Sequence, residues 1–164
     1  MEIRPAVPDD ADEMSNVLGD IFRAGQRSGP SDRMFVLERY INHPHRIRCS
    51  VALNGQGEVI GFQSLKKAWM GNPYGVQEGW GIIGTHISPR AARHGAGAAL
   101  FKASLQAAKI AGLKSIDATI GEDNRPALAY YEAMGFTAYR KVDGCICKVF
   151  HMRCAQSLNQ KQIA

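Results

Sequence analysis

Residues 89–98 read PRAARHGAGA, and they connect a predicted strand to the most regular helical pattern in the chain. After Gly95 the apolar residues recur at intervals of three and four, which predicts a helix that ends at Gly112. A helix that begins here directs unpaired backbone N–H groups and the positive end of its dipole toward an anion. The stretch therefore predicts a phosphate-binding turn, although a plain capped turn would also explain an isolated Gly-x-Gly.

The segments on either side of this turn predict a central sheet. Upstream we expect a strand at 3–6, helices at 11–21 and 34–41, a hairpin of 48–53 with 59–65, and a glycine-containing strand at 76–88. Downstream we expect a strand at 115–120, a helix at 126–134 and closing strands through 139 and 145–152. This order predicts an α+β fold, an α/β sandwich in which a mixed, mostly antiparallel sheet has helices on both faces.

Composition favours one globular domain over the whole chain, residues 1–164. Hydrophobic residues make up 45% of the sequence and charged residues 21%, which is ordinary for a folded protein. The apolar runs stop well short of the roughly 18 residues of a membrane helix, and the N-terminus lacks a signal-peptide pattern, so we expect a cytoplasmic protein and no membrane partner. Residues 155–164 are polar and are predicted to be a frayed tail.

Charge and cysteine content narrow the possible partners. The net charge is +5, but Lys and Arg are scattered without a basic run interleaved with aromatic residues, so no nucleic-acid partner is expected. An anionic small ligand or ordinary surface charge would account for the excess. The cysteines Cys49, Cys145, Cys147 and Cys154 match neither a disulfide framework nor a zinc spacing, and we expect buried thiols.

Two motifs resemble those of the GNAT N-acetyltransferase superfamily. Residues 92–97, ARHGAG, resemble its Q/R-x-x-G-x-G/A motif, with Ala92 where the family prefers Gln or Arg. Residues 124–136, NRPALAYYEAMGF, resemble N-x-x-A-x-x-x-Y-E-x-x-G-F almost position for position. Residues 87–90 and 118–121 are most similar to the phosphinothricin and methionine-sulfone acetyltransferase branch, and the resemblance spans roughly residues 2–152.

The resemblance implies acetyl-CoA as co-substrate, without a metal ion. The pantetheine arm would lie beside a splayed strand, against backbone groups near Thr85, His86 and Ile87. Asn124 corresponds to the family residue that contacts this arm, and the hydroxyl of Tyr131 would lie near the thioester sulfur. The pyrophosphate would lie against the glycine-containing loop and helix start, formed by Arg93, His94, Gly95, Ala96, Gly97 and Ala98.

The chemistry of acyl transfer suggests roles for individual side chains. When an amine displaces CoA, the departing thiolate needs a proton, and the phenol of Tyr131 can supply it as a general acid. The adjacent Tyr130 points about 100° away and is predicted to pack. Glu78 is the predicted general base, and His86 is the alternative. We expect direct transfer in a ternary complex, without a cysteine-linked intermediate.

The acceptor is predicted to be the primary amine of a small molecule, either amino-acid-like or an arylalkylamine. The second option follows from large side chains near the expected cleft: Trp69, Met70, Tyr74 and Trp80. These side chains could equally cover the core. Two other functions remain open, a protein N-terminal or lysine acetyltransferase and a non-catalytic acyl-CoA-binding regulator. A homodimer is also possible.

Overall fold

The computed structural model describes residues 1–153, so Cys154 and the predicted frayed tail lie outside the described residues. Seven strands form one sheet in the order β1-β2-β3-β4-β5-β7-β6. The strands are β1 Glu2–Pro5, β2 Arg46–Leu53, β3 Val59–Lys67, β4 Gly81–Ile87, β5 Ser115–Gly121, β6 Thr137–Val142 and β7 Cys145–His151. The helices are α1 Ala11–Arg23, α2 Arg33–Val36 with a π-helical continuation Leu37–Ile41, α3 Ala96–Ile110 and α4 Arg125–Ala133.

Strand pairing confirms the predicted α+β class. Every neighbouring pair of strands is antiparallel except β4 and β5, which run parallel. The parallel pairing stops after two residue pairs, Gly81 with Ile116 and Ile82 with Asp117. Beyond these pairs the two strands separate, and we call the space between them the β4–β5 opening.

Helices cover both faces of the sheet. On the first face, α1 and the 33–41 segment bury a cluster that includes Met14, Leu18, Tyr40, Val51 and Phe62. On the second face, α3 and α4 bury a cluster that includes Leu65, Phe101, Ile116, Tyr131 and Phe136. Each large apolar side chain that is fully buried contributes about 1.5–3 kcal/mol. In residues 1–153, no helix combines the length and the hydrophobicity that a membrane crossing would need.

The start of β4 differs from the prediction. The strand begins at Gly81 rather than at residue 76, and residues 68–80 form the connection from β3. Val76 is buried, which explains its apolar appearance, but Asn72 holds its backbone in a loop. The Asn72 side chain accepts from the Val76 N–H at 3.1 Å and donates to its C=O at 2.8 Å. The predicted base Glu78 therefore lies in this connection and not in a strand.

Candidate active site

The β4–β5 opening presents backbone groups of β4 that no strand pairs with. The N–H of Ser88 donates to the C=O of Ile60 on β3 at 2.9 Å, and the β3–β4 register continues without a shift. Because alternate residues of an antiparallel strand face the same neighbour, His86 directs its backbone at β3. Thr85 and Ile87 direct their N–H and C=O groups into the opening, where an extended ligand could bind them.

The N-terminus of α3 is the second candidate binding element. Gly95 precedes the helix with φ 80°, and Arg93 has φ 66°. Within the described chain no side chain caps this N-terminus, so its first N–H groups remain available to an anion. Arg93, His94 and Ala98 are exposed beside it, whereas the methyl group of Ala96 is buried. Such a terminus fits a phosphate group and supports the predicted pyrophosphate site.

Arg90, which could compensate for the side chain missing at Ala92, already forms an ion pair in this structure. Its guanidinium donates to Asp20 on α1 at 3.0 Å, and Asp20 also accepts from the Ser88 hydroxyl at 2.9 Å. The same carboxylate pairs with Arg23. These residues border a wide surface cavity of about 840 Å³, in which Asp20 is paired with both arginines. Arg93 is the remaining candidate for an added side-chain contact with phosphate.

Gly97 has a packing role that the sequence did not predict. A methyl group at this position would lie 2.6 Å from the Tyr130 ring, which is closer than carbon atoms can approach. The Tyr130 hydroxyl donates to the Gly97 C=O at 2.8 Å and accepts from Gln63 Nε2 at 3.1 Å. The prediction that Tyr130 only packs is therefore incomplete, because this residue also ties α4 to α3 and β3.

Tyr131 lies at the β4–β5 opening, in contact with β4. Its hydroxyl forms a hydrogen bond with Thr85 Oγ1 at 2.9 Å, in which either group can donate. Thr85 Oγ1 accepts a further hydrogen bond from Gln63 Nε2 at 2.8 Å. Ser104 on α3 donates to the Gln63 carbonyl oxygen at 2.6 Å and completes the chain of hydrogen bonds. Burial raises the pKa of Tyr131 well above its ordinary value. The phenol therefore stays protonated at neutral pH, as a proton donor must.

Asn124 begins α4 as its N-cap. Its side-chain oxygen accepts from the Ala127 N–H at 3.2 Å, which leaves the Nδ2 group as a donor. The side chain is therefore fixed at the end of β5, where the strand leads into α4. The predicted contact between Asn124 and the cofactor arm is compatible with this position and stays a prediction.

A cavity of about 210 Å³ opens on the first face of the sheet, between β4, β5 and the 33–41 segment. Three of its lining residues are cations, Arg27, Arg39 and Lys66, and none is acidic. Lys66 is only 4% exposed and lies 5.4 Å from the centre of the Tyr40 ring. Burial lowers the pKa of Lys66 to about 8. The cavity is therefore a buried site with an excess of positive charge.

His86 also lines this cavity, with its ring 4.7 Å from that of Phe62 and 5.4 Å from that of Tyr40. Burial, together with the positive charges of Arg27 and Lys66, lowers the pKa of His86 to about 3. The ring is therefore neutral at physiological pH.

Other predicted residues lie apart from these groups. Glu78 is exposed and is not among the lining residues of the cavity, and its role as base stays a prediction. Trp69 stacks on His45, and Trp80 packs against Tyr139. Of the four large side chains expected near the acceptor cleft, Tyr74 alone lines the cavity. Within residues 1–153, no three His, Cys, Asp or Glu side chains are grouped in a way that could hold a metal ion.

Solved structures with the same fold include several acetyltransferases. A phosphinothricin acetyltransferase from Sinorhizobium meliloti, solved with AcCoA, is 18% identical with a TM-score of 0.75, over 98% of this chain and 93% of that one. A Salmonella typhimurium protein solved with its cofactor acetyl-CoA is 15% identical with a TM-score of 0.68, over 96% and 97%. A ribosomal-protein-alanine N-acetyltransferase from Brucella melitensis is 16% identical with a TM-score of 0.70, over 93% and 100%.

At these identities the structural likeness shows the fold alone, and no curated protein sequence matches this chain significantly. The family comparison goes further, because the model of the Acetyltransferase (GNAT) family matches residues 11–136, from the start of α1 to the Phe136 that ends the second motif. The chain therefore belongs to the acetyltransferase (GNAT) family and is an acyl-CoA-dependent N-acetyltransferase.

Proposed function

We propose that this enzyme transfers the acetyl group of acetyl-CoA to the primary amine of a small molecule that also carries a carboxylate or a similar anionic group. The observation that carries this proposal is the cavity lined by Arg27, Arg39 and Lys66 without an acidic residue. The cavity borders Gly84 on β4 and Thr119 on β5, at the opening beside which Thr85 and Tyr131 meet.

The size of the cavity supports a small acceptor. A volume of about 210 Å³ lies below the roughly 300–1,000 Å³ of pockets that hold drug-sized ligands, which suits a smaller molecule of amino-acid size. A protein N-terminus or a lysine side chain on a folded protein would call for an open groove instead. The geometry thus favours a free metabolite over a polypeptide.

The charges support an acceptor with an anionic group. A polyamine would meet three cations and no carboxylate in this cavity, and like charges at short range repel strongly when water is excluded. A carboxylate would gain charge-assisted hydrogen bonds from the same groups. The amino-acid-like option is therefore favoured over polyamines and over arylalkylamines that lack an anionic group.

The chain's own residues account for the main requirements of direct transfer. Acetyl-CoA would be held by the backbone of Thr85 and Ile87 and by the N-terminus of α3, and it supplies the activated acyl group. Tyr131 donates a proton to the departing thiolate. A covalent route through Cys49 is disfavoured, because burial raises the pKa of Cys49 to about 12 and keeps it a thiol.

The test is CoA release from acetyl-CoA with a matched series of acceptors. The series contains L-amino acids, their amides, the corresponding decarboxylated amines, a polyamine and a short peptide. We expect kcat/KM for the best amino acid to exceed that of its amide at least about tenfold, the effect of one charged hydrogen bond. Faster turnover of the polyamine or the peptide would contradict the proposal. Tight acetyl-CoA binding without turnover of any amine would favour the regulator.

A further inference from the structure

Asp117 on β5 is a fully buried carboxylate, at 0% exposure, that the reaction described so far does not use. Its Oδ1 accepts from the Thr119 hydroxyl at 2.9 Å, and its Oδ2 accepts from the Tyr139 hydroxyl at 2.6 Å. Burial raises the pKa of Asp117 although both bonds oppose the shift. A carboxylate is costly to bury even when it is hydrogen-bonded, so its place beside the reaction site calls for an explanation.

Thr119 connects this carboxylate to the acceptor cavity. Asp117 forms the last parallel pair with Ile82, so Thr119 is the next residue of β5 that shares the face of Asp117, just inside the β4–β5 opening. Its side chain lines the cavity together with Gly84 from the opposite strand. Because Thr119 donates its proton to Asp117, its oxygen can accept two hydrogen bonds. The Cys147 thiol, with its sulfur 3.7 Å away, can donate one of them, and the other lone pair is available to a donor in the cavity.

We propose that Thr119 Oγ1 accepts the proton of the substrate amine and that Asp117 acts as the positioning residue that orients this hydroxyl and takes up its proton. The amine nitrogen bonds to the acyl carbon, and the bond from that carbon to sulfur breaks. The amine proton passes to Thr119 Oγ1 while the original Thr119 proton passes to Asp117 Oδ1. Tyr131 protonates the thiolate, and exchange of one proton with solvent restores Asp117 and Tyr131. This inference rests on the proposed acetylation of an amine.

The arrangement separates the two proton transfers. Tyr131 and Thr85 meet on the face covered by α3 and α4, whereas Thr119 and Asp117 lie on the face that holds the cavity. The β4–β5 opening joins these faces. The proton acceptor is therefore on the side from which the amine enters, and the proton donor is on the other side.

Within the described residues, few ionisable side chains lie close enough to Asp117 to affect its titration. Those that surround it on the neighbouring elements are Tyr139 and Arg140 of β6, Cys147 of β7 near Thr119, and Tyr131 of α4. Tyr139 and Arg140 both favour the charged carboxylate. A change at Tyr139 should therefore move the titration of Asp117 without removing the Thr119 hydroxyl.

The experiment compares steady-state rates and pH profiles of the full-length enzyme with its best amine from the acceptor series. Thr119→Val and Asp117→Asn should each lower kcat about 10²-fold, and Thr119→Ser should keep most of it. Protonation of the substrate amine lowers kcat/KM at low pH in every variant. Protonation of Asp117 should add a second acid limb in the wild type, and Asp117→Asn should lack this second limb. Tyr139→Phe removes a bond to the charged form, so it should move the limb to higher pH.

Circular dichroism and acetyl-CoA binding check that each variant is folded. Thr119→Val with kcat within about threefold of wild type would overturn the inference. A second acid limb that persists in Asp117→Asn, or that stays in place in Tyr139→Phe, would also overturn the inference and would indicate a structural role. If the wild type acetylates no amine at all, the proposed function fails instead, and the two failures are distinguishable.

Discussion

The hydroxyl of Tyr131 lies 2.9 Å from Thr85 Oγ1, and this contact joins α4 to β4 at the edge of the β4–β5 opening. The hydrogen bond fixes the orientation of the phenol, and burial keeps the phenol protonated. Gln63 donates to Thr85 Oγ1, and Ser104 donates to the side-chain oxygen of Gln63, so this chain of hydrogen bonds restrains Thr85. The proposed proton donor is therefore preorganised before any substrate binds, which would lower the cost of reaching the transition state.

Replacing Tyr131 with Phe should separate catalysis from binding. The ring keeps its edge-to-face contact with Phe136, with centroids 5.1 Å apart, so the fold should hold. We expect kcat to fall about 10²-fold because the thiolate loses its proton donor, while the Kd for acetyl-CoA stays within about threefold. Steady-state kinetics and calorimetry measure the two quantities. Tyr130→Phe is the matched control and should keep most of kcat; equal losses in both variants would argue against the assignment.

Gly97→Ala should destabilise the protein through Tyr130. A methyl group 2.6 Å from the ring costs about 1–3 kcal/mol, which exceeds the gain of up to about 1 kcal/mol in helix propensity. Urea denaturation should therefore show a lower free energy of unfolding. Tyr130→Leu should relieve most of the added cost in the double variant, whereas Tyr130→Phe, which keeps the ring, should not. Equal costs of Gly97→Ala in all three backgrounds would refute the steric explanation.

Lys66→Met should weaken the preference for anionic acceptors. The Lys66 ammonium group is buried in the cavity, and a charged hydrogen bond to a carboxylate contributes about 1.5–3 kcal/mol. We expect KM for an amino acid to rise at least tenfold, with a smaller change for its amide. Because burial lowers the pKa of Lys66 to about 8, wild-type KM should also rise as pH passes above this value. A carboxylate-to-amide ratio that does not change in the variant would exclude Lys66 from acceptor binding.

His86 should make the fold sensitive to acid. The unfolded chain binds a proton at this side chain near pH 6.5, whereas in the folded protein burial lowers the pKa to about 3. Stability from His86 is therefore complete above pH 6.5 and falls as pH drops toward 3, by up to about 1.4 kcal/mol per pH unit. Urea denaturation at pH 7.0 and 5.5 should show a smaller loss for His86→Gln than for the wild type. His94→Gln, in the exposed loop, serves as control and should retain the full loss.

Much of the fold could be predicted because its signals are local. The turn at Asn54 predicted the β2–β3 hairpin, and the structure shows the Asn54 side chain accepting from two N–H groups of that turn, those of Gln56 and Glu58. The start of β4 could not be predicted, because Val76 is buried in a loop whose backbone makes two hydrogen bonds with the Asn72 side chain. Because the predicted strand began at residue 76 instead of Gly81, it wrongly included Glu78.

The candidate site could be predicted from the sequence only where its residues are close together in the chain. Tyr131 and the start of α3 lie in contiguous motifs, whereas Arg27, Arg39 and Lys66 come from separate segments and converge only after folding. Lys66 carried no signal, because it directly follows the predicted strand and precedes a second lysine. Asp117 carried a weak one, as a carboxylate between the apolar residues Ile116 and Ala118 of a predicted strand.

Two sets of chain segments meet at the β4–β5 opening, one proposed to bind the acceptor and the other proposed to bind acetyl-CoA. The walls of the proposed acceptor cavity come from residues 27–41, β3, Tyr74 and one face of β4 and β5, whereas the proposed acyl-donor site lies between β4 and the start of α4. Residues 27–41 contribute two of the three cations of the proposed acceptor cavity and lie on the face opposite Tyr131 and α3. Substitutions in this segment should therefore change the acceptor preference while the proposed proton donor and phosphate-binding turn stay in place.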